Sequence, residues 1–267
     1  MNNREGKYSK FALVREMLET SEVVRKFDVS STRRFADRLS NSKALFLSGE
    51  GSSRIFPAKR AIYSALKNGG PINIVTEGST QAMEYKLDDY AVFGASNSGQ
   101  TKEVVRLFMK IKEEGHQAYF GLTANANTRL EKLAIDTHVM NCGKEDAVAA
   151  TKSVIEQGLF YDSIVHQLAG KELEGLDDLA DAIEAALTLE IDPEIVEVLR
   201  NADLIYFAGR NTGVVEELTL KTNEITRKKS DFLEGTYAVH GIEEVMDKNE
   251  VVIVVDPFES EEEKFKE

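Results

Sequence analysis

Tyr90-Ala91-Val92-Phe93-Gly94-Ala95-Ser96-Asn97-Ser98-Gly99-Gln100-Thr101, running on into Lys102 to Glu114, is the stretch on which the fold turns. Tyr90 to Gly94 is a short apolar run of the kind that forms a buried strand, and Val104, Val105, Phe108 and Ile111 recur at helical spacing. Between strand and helix lie three hydroxyl side chains, Ser96, Ser98 and Thr101, and one glycine. A loop that leaves a strand and opens a helix aims free backbone N–H groups and the positive end of the helix dipole at one spot, which suits a phosphate. The same residues also suit a plain helix cap, which needs no ligand. This segment alone leaves the two open.

Outward from it the pattern repeats. Ala44 to Ser48 is another apolar run, followed by Gly49-Glu50-Gly51-Ser52-Ser53 and a helical pattern from Arg54 to Lys67. A third hydroxyl-rich start, Ala149-Ala150-Thr151-Lys152-Ser153, opens a stretch with Val154, Leu159, Ile164 and Leu168. Candidate strands at 44–48, 72–76, 90–95, 118–123 and 137–141 alternate with helices, which predicts an α/β fold with a parallel, doubly wound sheet. Loops of this kind converge at the carboxyl ends of parallel strands, where open α/β sheets bind ligands. Helix is expected at 11–27 before the first strand and over much of 151–202, with Asp192-Pro193 marking a fresh start.

The second part of the chain echoes the first. Leu204-Ile205-Tyr206-Phe207-Ala208-Gly209 parallels Ala44 to Gly49, Glu234-Gly235-Thr236 parallels Glu77-Gly78-Ser79, and Glu250 to Asp256 parallels the strand at 90–95. Two copies of one α/β unit follow, the second incomplete, ending in an acidic run, Glu259 to Glu263, that starts a helix. The expected organisation is a helical segment at 1–40, a first unit at 41–170, a helical connection at 171–200 and a truncated second unit at 201–267.

The 267 residues, 42% of them hydrophobic, suffice for a substantial core. A net charge of −13 argues against a nucleic-acid partner bound by phosphate neutralisation. One cysteine, Cys142, excludes an intrachain disulfide and is read as a small buried residue. The four histidines show no metal-ligand spacing, so no metal is expected, and the acid–base chemistry considered below calls for no organic cofactor. No long apolar run or signal core is present, so no membrane partner is expected and the cytoplasm is the default location.

Gly49 to Ser53, Ser96 to Thr101 and Glu145-Asp146-Ala147-Val148-Ala149-Ala150-Thr151-Lys152, in that order, resemble the three phosphosugar-binding motifs of the sugar isomerase (SIS) domain family. The match is especially close to the isomerase half of glucosamine-6-phosphate synthase and the SIS-type glucosamine-6-phosphate deaminases and fructosamine-6-phosphate deglycases. The resemblance implies two flavodoxin-like units, with phosphate held by Ser96, Asn97, Ser98 and Thr101. Gly51 belongs to the first loop, Ser52 and Ser53 would contact sugar or phosphate, and Val148 and Ala150 would offer backbone contacts to hydroxyls. It also implies a catalytic pair: Glu224, within Leu220-Lys221-Thr222-Asn223-Glu224-Ile225, and His240, before Gly241. A homodimer is implied too, with sites completed across the subunit interface.

The chemistry of such a pair is independent of the family. Interconverting an aldose and a ketose phosphate moves a proton between C1 and C2 through an enediol or enolamine, which suits a carboxylate base, and ring opening suits histidine. The family segment around the histidine carries a glutamate three residues before it and a proline after the glycine. Here those positions are Tyr237 and Ile242. Asn223 stands where the synthase has lysine, and the segment carrying the synthase's active-site lysine and the glutaminase domain are not in this sequence. Isomerisation, deamination and deglycation remain open, as does a binding module that senses a phosphosugar without turning it over.

Overall fold

The computed structural model describes residues 1–2 and 4–266. The chain divides into two compact units, Met1–Thr188 and Leu189–Glu267.

In the first unit, α1 (Gly6–Ser9), α2 (Ala12–Arg25) and α3 (Arg33–Leu39) precede the sheet. Then come β1 (Ala44–Gly49), α4 (Ile55–Lys67), β2 (Asn73–Gly78), α5 (Ser79–Ala82) and β3 (Tyr90–Ala95). They are followed by α6 (Lys102–Glu113), β4 (Tyr119–Thr123), α7 (Arg129–Leu133), β5 (Asp136–Val139), α8 (Lys152–Leu168) and α9 (Leu176–Thr188). The five strands are all parallel in the order β2-β1-β3-β4-β5. Every predicted strand is present, each within one or two residues of its expected ends.

Two apolar layers flank this sheet. One face packs against α6 through Val104, Leu107, Phe108 and Ile111. Helix and strand approach closely there because Gly94 has no side chain: a Cβ at that position would lie 2.2 Å from the Phe108 ring. The other face packs on α3 and α8, where Phe35, Phe93, Phe120 and Phe160 interlock with ring centroids 5.1 to 5.8 Å apart. Edge-on and tilted contacts of this sort add about 0.5–1.5 kcal/mol per pair beyond the area they bury. Helix α8 is covered on almost all sides from Lys152 to Val165, being packed by α2, α3 and α4.

The second unit contains α10 (Pro193–Asn201), β6 (Leu204–Gly209), α11 (Val214–Thr226), β7 (Ser230–Glu234), β8 (Glu250–Val255) and α12 (Glu262–Lys266). Asp192 caps α10 by accepting from the Glu194 amide, with Pro193 in the first turn. Its three strands are parallel in the order β7-β6-β8, the arrangement of β2-β1-β3 in the first unit. The sequence echo is thus a repeat of topology. Among the described residues no helix is long and apolar enough to cross a membrane.

Candidate functional site

The strand order of the first unit reverses direction between β1 and β3, and a crevice at the carboxyl ends of strands forms at such a switch point. The loops that leave these two strands are Gly49–Ser53 and Ser96–Thr101. The first loop folds back on itself beside the end of β3: a Cβ on Gly49 would lie 2.8 Å from the Ser53 carbonyl and 3.1 Å from that of Ala95, so only glycine fits. Gly51, at φ +53°, turns the first loop into a short 3₁₀ segment through Ser53 that runs into α4. Gln157 of α8 donates to the Ser53 carbonyl and holds this turn from below. Glu50 accepts from the Ser79 amide at 2.9 Å, tying the first loop to the start of α5.

The second loop is organised by its own hydroxyls. Ser96 is buried; its Oγ lies 2.8 Å from Thr101 Oγ1 and accepts from the Thr101 amide at 3.3 Å. Ser98, exposed, accepts from the Gln100 amide at 3.2 Å. Thr101 stands at the N-cap of α6 but its side chain makes no bond into the helix. The plain-cap reading therefore does not describe this loop: its hydroxyls brace the turn and leave the first helical amides without a side-chain acceptor. Gly99 at φ +62° lets the turn close, and its carbonyl accepts from the Leu130 amide at 3.1 Å.

The third loop is arranged differently. Thr151, at the N-cap of α8, also makes no side-chain cap. There a carboxylate of the chain itself fills the anion position. Glu145 Oε1 accepts from the Thr151 amide at 2.8 Å, the Thr151 hydroxyl at 2.9 Å and the Ser153 amide at 3.4 Å. Its Oε2 accepts from Asn97 Nδ2 at 3.0 Å and from the Ser153 hydroxyl. Burial pushes the Glu145 carboxyl pKa up, but the bonds from Ser153 and Thr151 outweigh it and hold the group below the ordinary glutamate value. Glu16 on α2, itself buried, accepts from the amides of Asp146 and Ala147, and Lys152 pairs with Glu19 at 2.6 Å. Val148 projects wholly into solvent and Ala150 is half-buried.

Asn97 is more constrained than a loop residue need be. Its carbonyl accepts from the Ala124 amide, Thr123 Oγ1 and Asn125 Nδ2, at 3.1, 3.1 and 2.9 Å. Its side-chain NH₂ donates to Glu145 and to Ser153 Oγ at 3.3 Å. Both amide hydrogens are thereby used, so the side chain offers a ligand only its Oδ1 acceptor.

In the second unit, Glu224 lies near the end of α11, exposed, with Oε2 3.2 Å from Lys221 Nζ. Lys221 also faces Glu217 at 3.4 Å. His240 follows the 3₁₀ turn Tyr237–Val239, exposed, and lies within electrostatic reach of Glu261. Glu224 and His240 thus stand on separate elements of that unit, each beside an oppositely charged or ionisable neighbour.

Several site-shaping residues carried no role in the sequence reading: Glu16, Glu19, Gln157 and the Glu145 carboxylate. A signal for part of this set exists in α8, whose first turns place Lys152, Ser153, Glu156 and Gln157 among apolar positions, and all four are buried. Polar side chains inside a helix that is covered all round call for hydrogen-bond partners, backbone or side chain, on the elements packed against it. Cys142 is buried as expected, and burial together with the Glu156 and Glu145 carboxylates pushes its thiol pKa far up, away from nucleophilic chemistry. Among the described residues no group of three or more His, Cys, Asp or Glu side chains is arranged to hold a metal ion.

A parallel α/β unit with strand order 2-1-3-4-5 is, as a class, a flavodoxin-like domain. Residues 38–167 match the SIS domain family. No curated protein sequence matches it. Solved structures resemble it over both units. The C-terminal domain of glucosamine-fructose-6-phosphate aminotransferase from Francisella tularensis is 17% identical, with 98% of this chain and 80% of that one covered at a TM-score of 0.76. Tagatose-6-phosphate ketose/aldose isomerase from Escherichia coli is 18% identical, with 94% and 74% covered at 0.77. Glucosamine-6-phosphate deaminase from Thermotoga maritima is 21% identical, with 96% and 81% covered at 0.73. At these identities the likeness is one of fold.

Proposed function

We propose that the chain binds a hexose or amino-hexose 6-phosphate at the loops after β1 and β3 and interconverts its aldose and ketose forms. The observation that carries this reading is the Ser96–Thr101 loop: hydroxyls braced against one another, a helix N-terminus with no side-chain cap, and a position at the switch point. Of the four residues expected to hold the phosphate, Ser96 and Asn97 are engaged in bonds within the protein, so Ser98, Thr101 and the first amides of α6 would hold it, with Ser52 and Ser53 on the sugar or phosphate. Backbone groups at Val148 and Ala150 would meet sugar hydroxyls. Glu224 would move the proton between C1 and C2, and His240 would serve ring opening, in a homodimer whose histidine acts on the partner's substrate. The three structural relatives named above each act, by name, on a hexose or amino-hexose phosphate, which supports the substrate class.

The test is NMR of the protein with fructose 6-phosphate, glucosamine 6-phosphate and a fructosamine 6-phosphate in deuterated water. Deuterium at C1 or C2 is the expected result, and release of ammonia or an amino acid would select deamination or deglycation. Ser98→Ala should weaken phosphosugar binding by about tenfold, the order expected for one hydrogen bond to a charged group. Glu224→Gln should spare binding and lower turnover by roughly 10²–10⁴-fold. A second reading, a phosphosugar-binding module without turnover, is favoured by one feature: the histidine segment has Tyr237 and Ile242 where the family has glutamate and proline. Sugars that bind but do not exchange deuterium would select it.

A further inference from the structure

Three loops of the first unit end at helix N-termini, yet one of those termini is already occupied by the protein's own anion. The Glu145 carboxylate collects its bonds from two directions: Thr151 and Ser153 at the start of α8, and Asn97 of the second loop. It is the bridge between the third loop and the second. The third loop is in turn fixed from α2, where Glu16 accepts from the amides of Asp146 and Ala147, the two residues that follow the bridge.

We propose that Glu145 is a positioning residue for phosphosugar binding: the internal anion of the α8 N-terminus, it locks the Asn97 side chain and thereby the shape of the phosphate loop. This rests on the reading of Ser96–Thr101 as that loop. Two consequences follow from the bond directions. The α8 N-terminus is closed to substrate phosphate, which is left to α6. Asn97, with both amide hydrogens given to Glu145 and Ser153, presents Oδ1, an acceptor that repels phosphate oxygens and takes a sugar hydroxyl. The loop therefore distinguishes a phosphorylated polyol from phosphate alone through a residue that Glu145 orients.

Replacing the carboxylate by an amide keeps its volume but sets an NH₂ against the Asn97 NH₂ or against the Thr151 amide, donor against donor. In titration calorimetry, Glu145→Gln should weaken fructose 6-phosphate binding by about tenfold and inorganic phosphate by less, since only the sugar ligand uses Asn97 Oδ1. Asn97→Ala should weaken the sugar phosphate comparably, and the double variant should bind no worse than the weaker single, because both remove one linked arrangement. In turnover assays KM should rise with a smaller change in kcat, which a loss of folded protein would not produce. Unchanged or tighter binding by Glu145→Gln, or full additivity in the double variant, overturns the proposal. Ser98→Ala and Thr101→Ala separate it from the reading beneath: if they weaken binding while Glu145→Gln does not, only the positioning role falls. If none of the variants affects either ligand, the phosphate loop itself is wrongly placed. Should Glu145→Gln not fold, Ser153→Ala removes one donor from the same carboxylate, and a loss of about two- to threefold is expected, with no loss counting against the proposal.

Discussion

Gly99 and His138 show how much a single position decides. Gly99 has φ +62°, and a Cβ there would lie 2.3 Å from that of Thr128, the residue that caps α7. Gly99→Ala adds a left-handed backbone penalty of about 1–2 kcal/mol and overpacking of about 1–3 kcal/mol, so a loss of roughly 2–5 kcal/mol and of phosphate binding is expected in denaturant titration and calorimetry. A variant of normal stability would mean the loop tolerates a different turn. His138 is buried against Phe160, ring centroids 4.6 Å apart, with Nε2 unpartnered. Burial, aided by the nearby Arg34 charge, lowers its pKa from 6.5 to about 4. The unfolded chain takes up this proton near pH 6.5 and the folded one only near 4, so the unfolded state is the more protonated between them. Stability therefore rises with pH across that window and is lost as pH falls, by about 3 kcal/mol at most from this residue. His138→Phe should flatten that part of the pH profile, and an unaltered slope would assign it to other groups.

Among the elements, α6 and α8 begin with similar sequences, Gly-Gln-Thr-Lys and Ala-Ala-Thr-Lys, but in different electrostatic states. The N-terminus of α6 has no side-chain cap, whereas that of α8 is held by Glu145. Hydrogen exchange should show this directly: fructose 6-phosphate should slow the amides of residues 98–104 and leave those of residues 151–155 nearly unchanged. Equal protection at both would contradict the assignment of the phosphate to α6. The strands and longer helices were legible in the sequence because Val104, Val105, Phe108 and Ile111, or Leu45, Phe46 and Leu47, repeat with the period of their element. Helix α7 was not anticipated, although Thr128 and Glu131 spell a capping box that the structure forms in full. Helix α3 offers only Phe35, Ala36 and Leu39 on seven residues, too short for a periodic signal. Of the site, the hydroxyl loops were visible as local clusters. The carboxylates that bind backbone amides were not, because Glu16 meets Asp146 across 130 residues of chain and no local pattern records such a partnership.

For the molecule as a whole, repeated topology does not mean repeated stability. Strand β3 is buried from Ala91 to Ala95 and flanked on both sides by β1 and β4, whereas its counterpart β8 has no buried residue and, among the described residues, pairs with β6 alone. Both carry apolar runs, so the difference comes from what surrounds them. Amides of β8 should exchange markedly faster than those of β3 in native-state hydrogen exchange, and equal protection would mean that a further surface covers β8 in solution.

The order in which the chain is made gives one of these contacts a different meaning. Helix α2 packs on α8 and α9, and its Glu16 accepts from amides at positions 146 and 147. A ribosome adding about 5–20 residues per second needs on the order of ten seconds to travel from the first of these partners to the second. Throughout that interval α2 is without these partners, and its Glu16 has no amide of that loop to accept from. An element made near the start of the chain thus reaches its final contacts only after residues far along it exist, and its docking completes the loop that carries Glu145.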